Sequence, residues 1–316
     1  MAIVANTFTR YSAVGIREDL SNVIYNISPE ETPFISNIGR ENVKNTYFEW
    51  QTDSLAAASD ANAALEGDDI SSFTAVSPTS RIGNYTQIST KNVVISGTLE
   101  ALDKAGRRSE LTYQLAKLGS ELKRDMESAL LANQSPVAGN TTTARRTAGL
   151  PAFIKTNTDF GTGGADTAGI AARTDGTQRA FTEDQLKDVI AKVWESGGTP
   201  KMLMVGSHNK QVASGFTGIA TRFRDVPAGQ QAQIGGAADV YVSDFGTVNI
   251  VPNRFQRASD AFVVDPQVAS VAVPRPIQQM ELAKTGDAEK RLMLVEYGLK
   301  VNNEAAHGIV ADLTTS

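Results

Sequence analysis

The chain has 316 residues, no cysteine, two histidines and a formal net charge of −5. Those numbers exclude a disulfide framework, a thiolate nucleophile and a sulfur-based zinc site. They leave little room for an imidazole cluster, because His208 and His307 lie far apart, and they argue against clamping DNA over a whole face. With 41% hydrophobic and 21% charged residues, the chain reads as globular and about two domains long. No run of 18 apolar residues is present, so no membrane span is expected. Met1–Thr7 has neither the basic start nor the apolar core of a signal peptide.

Residues 1–41 read as an extended arm with short helical pieces. Ser28-Pro29-Glu30-Glu31 has the form of a helix start, and Pro33 follows too soon for a long helix. Val23, Ile24, Ile27, Phe34, Ile35 and Ile38 are too few to form a core and must pack on something else. Tyr47, Glu49 and Gln51 alternate with Phe48 and Trp50, which predicts a strand over 43–52. Tyr85–Ile95, dominated by β-branched residues, predicts a second. A connection of about thirty residues with weak periodicity is uncommon inside a compact domain. The expected shape is therefore a two-stranded projection, marginal by itself in water, with a tip of small and acidic residues. Residues 51–80 hold Asp53, Asp60, Glu66, Asp68 and Asp69 and no Lys or Arg. They read either as a solvated acidic loop or as an interface arm that meets basic residues of a partner. Calcium-loop spacing is missing.

Leu111, Leu115, Leu118, Leu122, Met126 and Leu130 form one apolar stripe, predicting a helix over 107–133 that packs on the core. Residues 134–180 are rich in Gly, Thr, Ala and Asn and read as a boundary. Phe160-Gly161-Thr162-Gly163-Gly164 lacks the Gly-Lys-Ser/Thr ending of a phosphate loop. A second unit starts at the capping box Thr182-Glu183-Asp184-Gln185, with Phe181 and Leu186 as its staple. A buried strand follows at Lys201–Val205, then a short helix capped by Ser207, a hairpin over 240–251 and a strand at Ala261–Val264. Val268–Val273 predicts a strand ending at Pro274. Met293, Val295, Tyr297, Leu299 and Val301 then alternate along a long strand whose other face carries Glu296 and Lys300. Its natural neighbours are the 85–95 strand and the 107–133 helix, so the first unit is discontinuous, with 183–264 inserted.

No catalytic constellation emerges. Ser207-His208 lacks the nucleophile elbow, both histidines read as surface or packing residues, and Asp68-Asp69 lacks a sugar platform. Trp50 and Trp194 read as packing anchors. Arg145-Arg146 and Arg222/Arg224 read as solvated charge or as partners for a neighbour's acidic arm. No enzyme activity, cofactor or metal is expected.

The order of pieces (arm, long projection, long amphipathic helix, separate α/β unit, return to long strands) resembles the major capsid protein of tailed bacteriophages, the α+β Hong Kong 97 type fold. Phe48-Glu49-Trp50-Gln51-Thr52-Asp53-Ser54-Leu55, Asn62-Ala63-Ala64-Leu65-Glu66-Gly67 and Gly83-Asn84-Tyr85-Thr86-Gln87-Ile88 resemble its short-tailed-phage major head protein branch. So do Ala105-Gly106-Arg107, Glu121 through Glu127, and Gly149-Leu150-Pro151. The resemblance implies an N-terminal arm at 1–41 and an E-loop with flanking strands at 42–98. It implies a P domain at 99–150 and 265–316 with its spine helix at 107–133, and an A domain at 151–264. It also implies a shell subunit that forms pentamers and hexamers with itself, in the virion, after assembly in the host cytoplasm. A separate scaffolding protein, a portal, a cement or decoration protein and weak contact with packaged DNA are the further partners expected. Trp50, Asp53, Asp60, Glu66, Asp68, Asp69, Arg145, Arg146, Arg222 and Arg224 are then expected at the subunit interface. Residues 51–80 contain no lysine, so covalent cross-linking from the tip is not expected. The alternatives are an encapsulin-like nanocompartment shell and a soluble α+β hydrolase or lyase.

Overall fold

A computed structural model describes residues 31–63, 66–67, 75–76, 78–103, 106, 108–216 and 240–316. The arm and the long helix meet at a buried carboxylate. Helix α1 (Pro33–Asn37) has proline in its first turn, which suits a position whose N–H has no partner within the helix. Helix α3 (Glu110–Leu131) starts where the Ser109 hydroxyl accepts from Thr112 N–H at 3.2 Å, three residues later than the apolar stripe suggested. Glu127 on α3 is fully buried, and its two oxygens accept from Phe34 N–H (2.7 Å) and Ile35 N–H (2.9 Å), while Asn253 Nδ2 donates to one of them at 2.7 Å. Phe34, Ile35 and Ile38 thus sink into the main core, as their number required. The helix start at Ser28–Glu30 and the apolar Val23, Ile24 and Ile27 lie outside the described residues.

The projection is shorter than the sequence implied. Strand β2 (Tyr47–Thr52) pairs antiparallel with β3 (Ser80–Tyr85), Tyr47 opposite Tyr85, and these two form a sheet of their own. The β-branched run after Thr86 is a different strand, β4 (Gln87–Ser96), in another sheet, and it leads into the short helix α2 (Gly97–Ala101). Gly83 and Asn84, poor strand formers, concealed β3. At Gly83 a Cβ would fall 2.4 Å from the Tyr47 hydroxyl, so a larger residue there would push the Tyr47 ring aside.

The four-stranded sheet runs β1 (Gly39–Glu41), β10 (Ala269–Glu281), β11 (Ala288–Val301), β4. β11 pairs with β4 and lies on α3, as its alternation predicted. β10 does not end at Pro274. It continues through Pro274 and Pro276 across two register shifts, between Ala272 and Arg275 and between Arg275 and Gln278. Proline is tolerated there because β1 covers the outer edge of β10 only opposite 270–272, so no N–H is demanded of it.

The six-stranded sheet runs β5 (Thr158–Asp159), β12 (Gly308–Val310), β9 (Ala261–Val264), β6 (Met202–Val205), β8 (Gly246–Pro252), β7 (Val240–Ser243). β7 and β8 form the expected hairpin. β12 pairs with β9, so 308–310 join this sheet and not the one the boundary at 264 assigned them to. Helix α5 (Glu183–Glu195) carries the full capping box of Thr182 and Gln185. In helix α6 (Ser207–Ser214) the cap is Gly206, and Ser207 is the first helical residue, a correction to the sequence reading. Leu186, Val189, Ile190 and Val193 of α5 pack with Leu203, Val205, Val263 and Val310 on one face of the sheet. Met202, Met204, Phe262 and Val264 on the other face join α3, the short helix α4 (Leu150–Phe153) and β11 in the main core.

Candidate functional site

The distinctive surface is the projection and its root. Residues 53–63 are exposed, including Asp53 and Asp60, and so is Glu66; no cation lies within 4 Å of these three among the described residues. Leu55 is 99% and Val76 93% exposed, an unusual position for two aliphatic side chains. Asp68 and Asp69 lie outside the described residues, as do Arg222 and Arg224. Trp50 is half-buried. It stacks on Phe48 (5.9 Å between centroids) and faces Phe153 (6.1 Å), and its buried indole N–H finds no acceptor among the described residues. Arg81 pairs with Glu49 across the two strands.

Below the projection the root is polar. Asn84 is fully buried and makes four hydrogen bonds: Nδ2 donates to Leu299 O (2.7 Å) and Thr147 Oγ1 (3.0 Å), and Oδ1 accepts from Tyr85 N–H (2.8 Å) and Ala148 N–H (2.9 Å). Thr86, also fully buried, donates its hydroxyl to Glu296 Oε1 at 2.7 Å, and its N–H goes to Thr46 O at 2.8 Å. Glu296 takes Arg145 Nη2 at 2.6 Å and Arg275 Nε at 2.8 Å. Burial opposes its charge, but these donors and the Thr86 hydroxyl hold its carboxyl below the usual glutamate range. Arg145 is therefore engaged inside its own chain, while Arg146 is exposed, with no ion pair among the described residues.

Away from the root of the projection, the face of the four-stranded sheet turned from α3 is open. Ile88 and Val94 of β4, Met280 of β10 and Leu282 just beyond it are exposed there, with Leu292 and Leu294 of β11 half-buried between them. A second exposed patch corrects the reading of Trp194 as a packing anchor: it is 55% exposed and lies against the exposed Phe245, 5.1 Å between centroids. His307 is a packing residue. Its Nδ1 accepts from Asp265 N–H (3.3 Å) and burial depresses it to about 4. Among the described residues no group of three His, Asp or Glu could hold a metal, and no helix is long and apolar enough to cross a membrane.

A sequence profile built on SU10 major capsid proteins matches residues 3–314. The chain belongs to the SU10 major capsid protein family. The major capsid protein of Escherichia phage Phieco32 is 27% identical over 345 aligned positions, covering 96% of each chain. The fold is that of capsids. The Cyanophage A-1(L) capsid superposes with a TM-score of 0.64 at 14% identity over 95% of this chain and 98% of the other. Gordonia phage Cozz gives 0.61 at 12% over 99% and 98%. The SrpI encapsulin of Synechococcus elongatus PCC 7942 gives 0.54 at 12% over 97% and 95%, a related fold. This capsid protein is thus a structural virion component with the α+β Hong Kong 97 type fold expected from its sequence, and it builds a lattice with copies of itself. Sequence reasoning missed the buried polar root. Asn84 stood out only within a string that resembles the family, and Glu296 only as the polar face of a strand; Leu299 lies 215 residues from Asn84 and Thr86 lies 210 residues from Glu296.

Proposed function

We propose that the subunit works as a shell tile completed by its neighbours, with the projection as the bridging element. The observation that supports this is the isolated two-stranded sheet with exposed residues at 53–63 and 75–76, bare Leu55 and Val76 among them, in a stretch whose charged residues are all acids. A segment with so little burial of its own is not self-stabilising. The acids Asp53, Asp60, Glu66, Asp68 and Asp69 are suited to a basic surface on the adjacent copy. Arg146 is the cation near the root available for it, with Arg222 and Arg224 as further candidates, and Arg145 contributes through its edge beside Glu296. Trp50 holds the base of the bridge. In this reading 1–41 is the N-terminal arm, 42–98 the E-loop with its flanking strands, 99–150 with 265–307 the P domain, and 151–264 with 308–313 the A domain. Pentamers and hexamers close by head-to-tail contacts, in the host cytoplasm, with a separate scaffolding protein, a portal and a cement or decoration protein as partners. Contact with packaged DNA is weak and salt-dependent, and the chain carries no enzymatic step.

Deleting residues 55–79 tests this reading. The expected product is a folded subunit, with the circular dichroism of the parent, that yields no closed particles by electron microscopy. Normal particles from the deletion variant would overturn the bridging role.

A further inference from the structure

We infer that the polar joint at the root of the projection sets the angle at which the projection leaves the body, and that Asn84 and Glu296 are the positioning residues of this hinge. The inference rests on the reading of the projection as a bridge between copies, because its angle then becomes the angle at which copies meet.

β2 and β3 pair only with each other, and the ladder breaks at Thr86 before β4 enters the four-stranded sheet. Nothing in strand pairing therefore fixes the projection relative to the body. Two kinds of contact remain. Phe48 lies flush on β11, where a Cβ at Gly298 would fall 2.8 Å from its ring, and Trp50 and Ile82 border the main core. Apolar contact of this kind is non-directional; it fixes how near the projection sits and leaves its tilt free. The hydrogen bonds are directional and weaken steeply off axis.

They also come in a pair that straddles the break. Asn84, on the projection side, is tied to Leu299 O, and Thr86, on the body side, is tied to the Glu296 carboxylate. Both anchors lie on β11. Thr147 closes the first tie by accepting from Leu299 N–H (3.1 Å) as well as from Asn84. Arg275 closes the second, and it sits between the two register shifts of β10, a local distortion of the kind that re-aims a side chain. Asn84 and Glu296 are both buried, and both oxygens of Glu296 and both polar atoms of Asn84 are engaged. A satisfied buried network of this sort specifies one arrangement. Leverage makes the angle consequential. Six residues of β2 extend about 20 Å, so a tilt of roughly 10° at the root moves the far end by about 3–4 Å. A contact displaced that far changes whether the rotation between copies closes.

The native chain has no cysteine, so paired labels can be placed at will. Ser54→Cys and Ser128→Cys, one at the start of the loop and one on the exposed side of α3, carry nitroxides for a distance measurement on the dispersed subunit. The parent is expected to show a single narrow distance. Glu296→Gln, which keeps the shape but weakens the hold on both arginines, is expected to lose that single peak to a broad or shifted distribution, and Asn84→Ala to do the same. Glu281→Gln, which alters an exposed pair with Arg291 on the same sheet, is the control and should leave the peak unmoved. The shells then report the consequence: Glu296→Gln particles should lose uniform diameter while thermal unfolding still shows a folded subunit. An unchanged distance peak in Glu296→Gln overturns the hinge, whatever the fate of Asn84→Ala. A changed peak with parent-like diameters overturns the link to curvature. Failure of the unlabelled parent to form particles would count against the bridging reading and leave the distance measurement to decide the hinge.

Discussion

The two large sheets of this capsid protein obey opposite rules. In the six-stranded sheet, β6 and β9 are buried at every residue, with α5 and α6 on one face and the main core on the other. In the four-stranded sheet the face toward α3 is covered, whereas the other is covered around Glu296 and Gly298, at the root of the projection, and leaves Val94, Ile88 and Met280 bare. The same division runs along α3. Its second half buries Leu122, Met126, Leu130 and Leu131, while Leu111, Leu115 and Leu118 in its first half are only partly covered. One part of the molecule is finished within a single chain. The other leaves apolar side chains exposed in the single chain.

The contrast can be broken by substitution. Phe262→Ala in β9 removes a fully buried ring and should cost about 3–5 kcal/mol in denaturant unfolding; a loss below about 1 kcal/mol would mean that the six-stranded sheet is not the finished part. Glu127→Ala strips the acceptor from two backbone N–H groups and from Asn253. The expected cost is about 3 kcal/mol or more, with the amides of Phe34 and Ile35 losing their protection from hydrogen exchange first. Protection unchanged at those two amides would show that the arm is held by apolar packing alone.

Acid sharpens the comparison. His307, in the 3-10 turn region before β12, has its folded pKa lowered from 6.5 to about 4. The unfolded chain therefore binds the extra proton first. Stability from this group is complete above pH 6.5, declines as pH falls toward 4 and is then fully lost, about 3 kcal/mol in total. Burial pushes Glu127 and Asp260 the other way, since their carboxyls are raised. The measurement is therefore the difference between the parent and His307→Gln: equal slopes of unfolding free energy against pH between 6.5 and 4 would refute the assignment. Glu296, whose carboxyl is lowered, contributes stability above the ordinary glutamate pKa of 4.5 that disappears only as pH falls below it. The smallest effect belongs to the open face. Val94→Lys should change subunit stability by no more than about 0.5 kcal/mol yet lower the yield of closed particles; a large loss of stability would show that this face is already covered in the single chain.

Most of the body below the projection was legible in the sequence. Leucine spacing marked α3, the Thr182–Gln185 box marked α5, and alternation marked β11, because each signal is local and periodic. The projection was legible in outline only. Its second strand hides behind Gly83 and Asn84, and the β-branched run that stood out belongs to the body. The joint was not legible, because a buried asparagine or glutamate is chosen by partners far along the chain and leaves no period. Trp194 shows the same limit: an aromatic in a helix gives no sign of which way it faces until the neighbouring strand is placed.

The prolines at 274 and 276 bear on how such a subunit stays soluble before it assembles. Beyond Ala272 the outer margin of β10 has no strand beside it among the described residues, and a bare margin of that length invites ribbon-like stacking of identical chains. Two missing N–H donors and a kinked ladder spoil that template. A protein that must associate with itself many times over is thereby barred from the one mode of self-association that has no natural end.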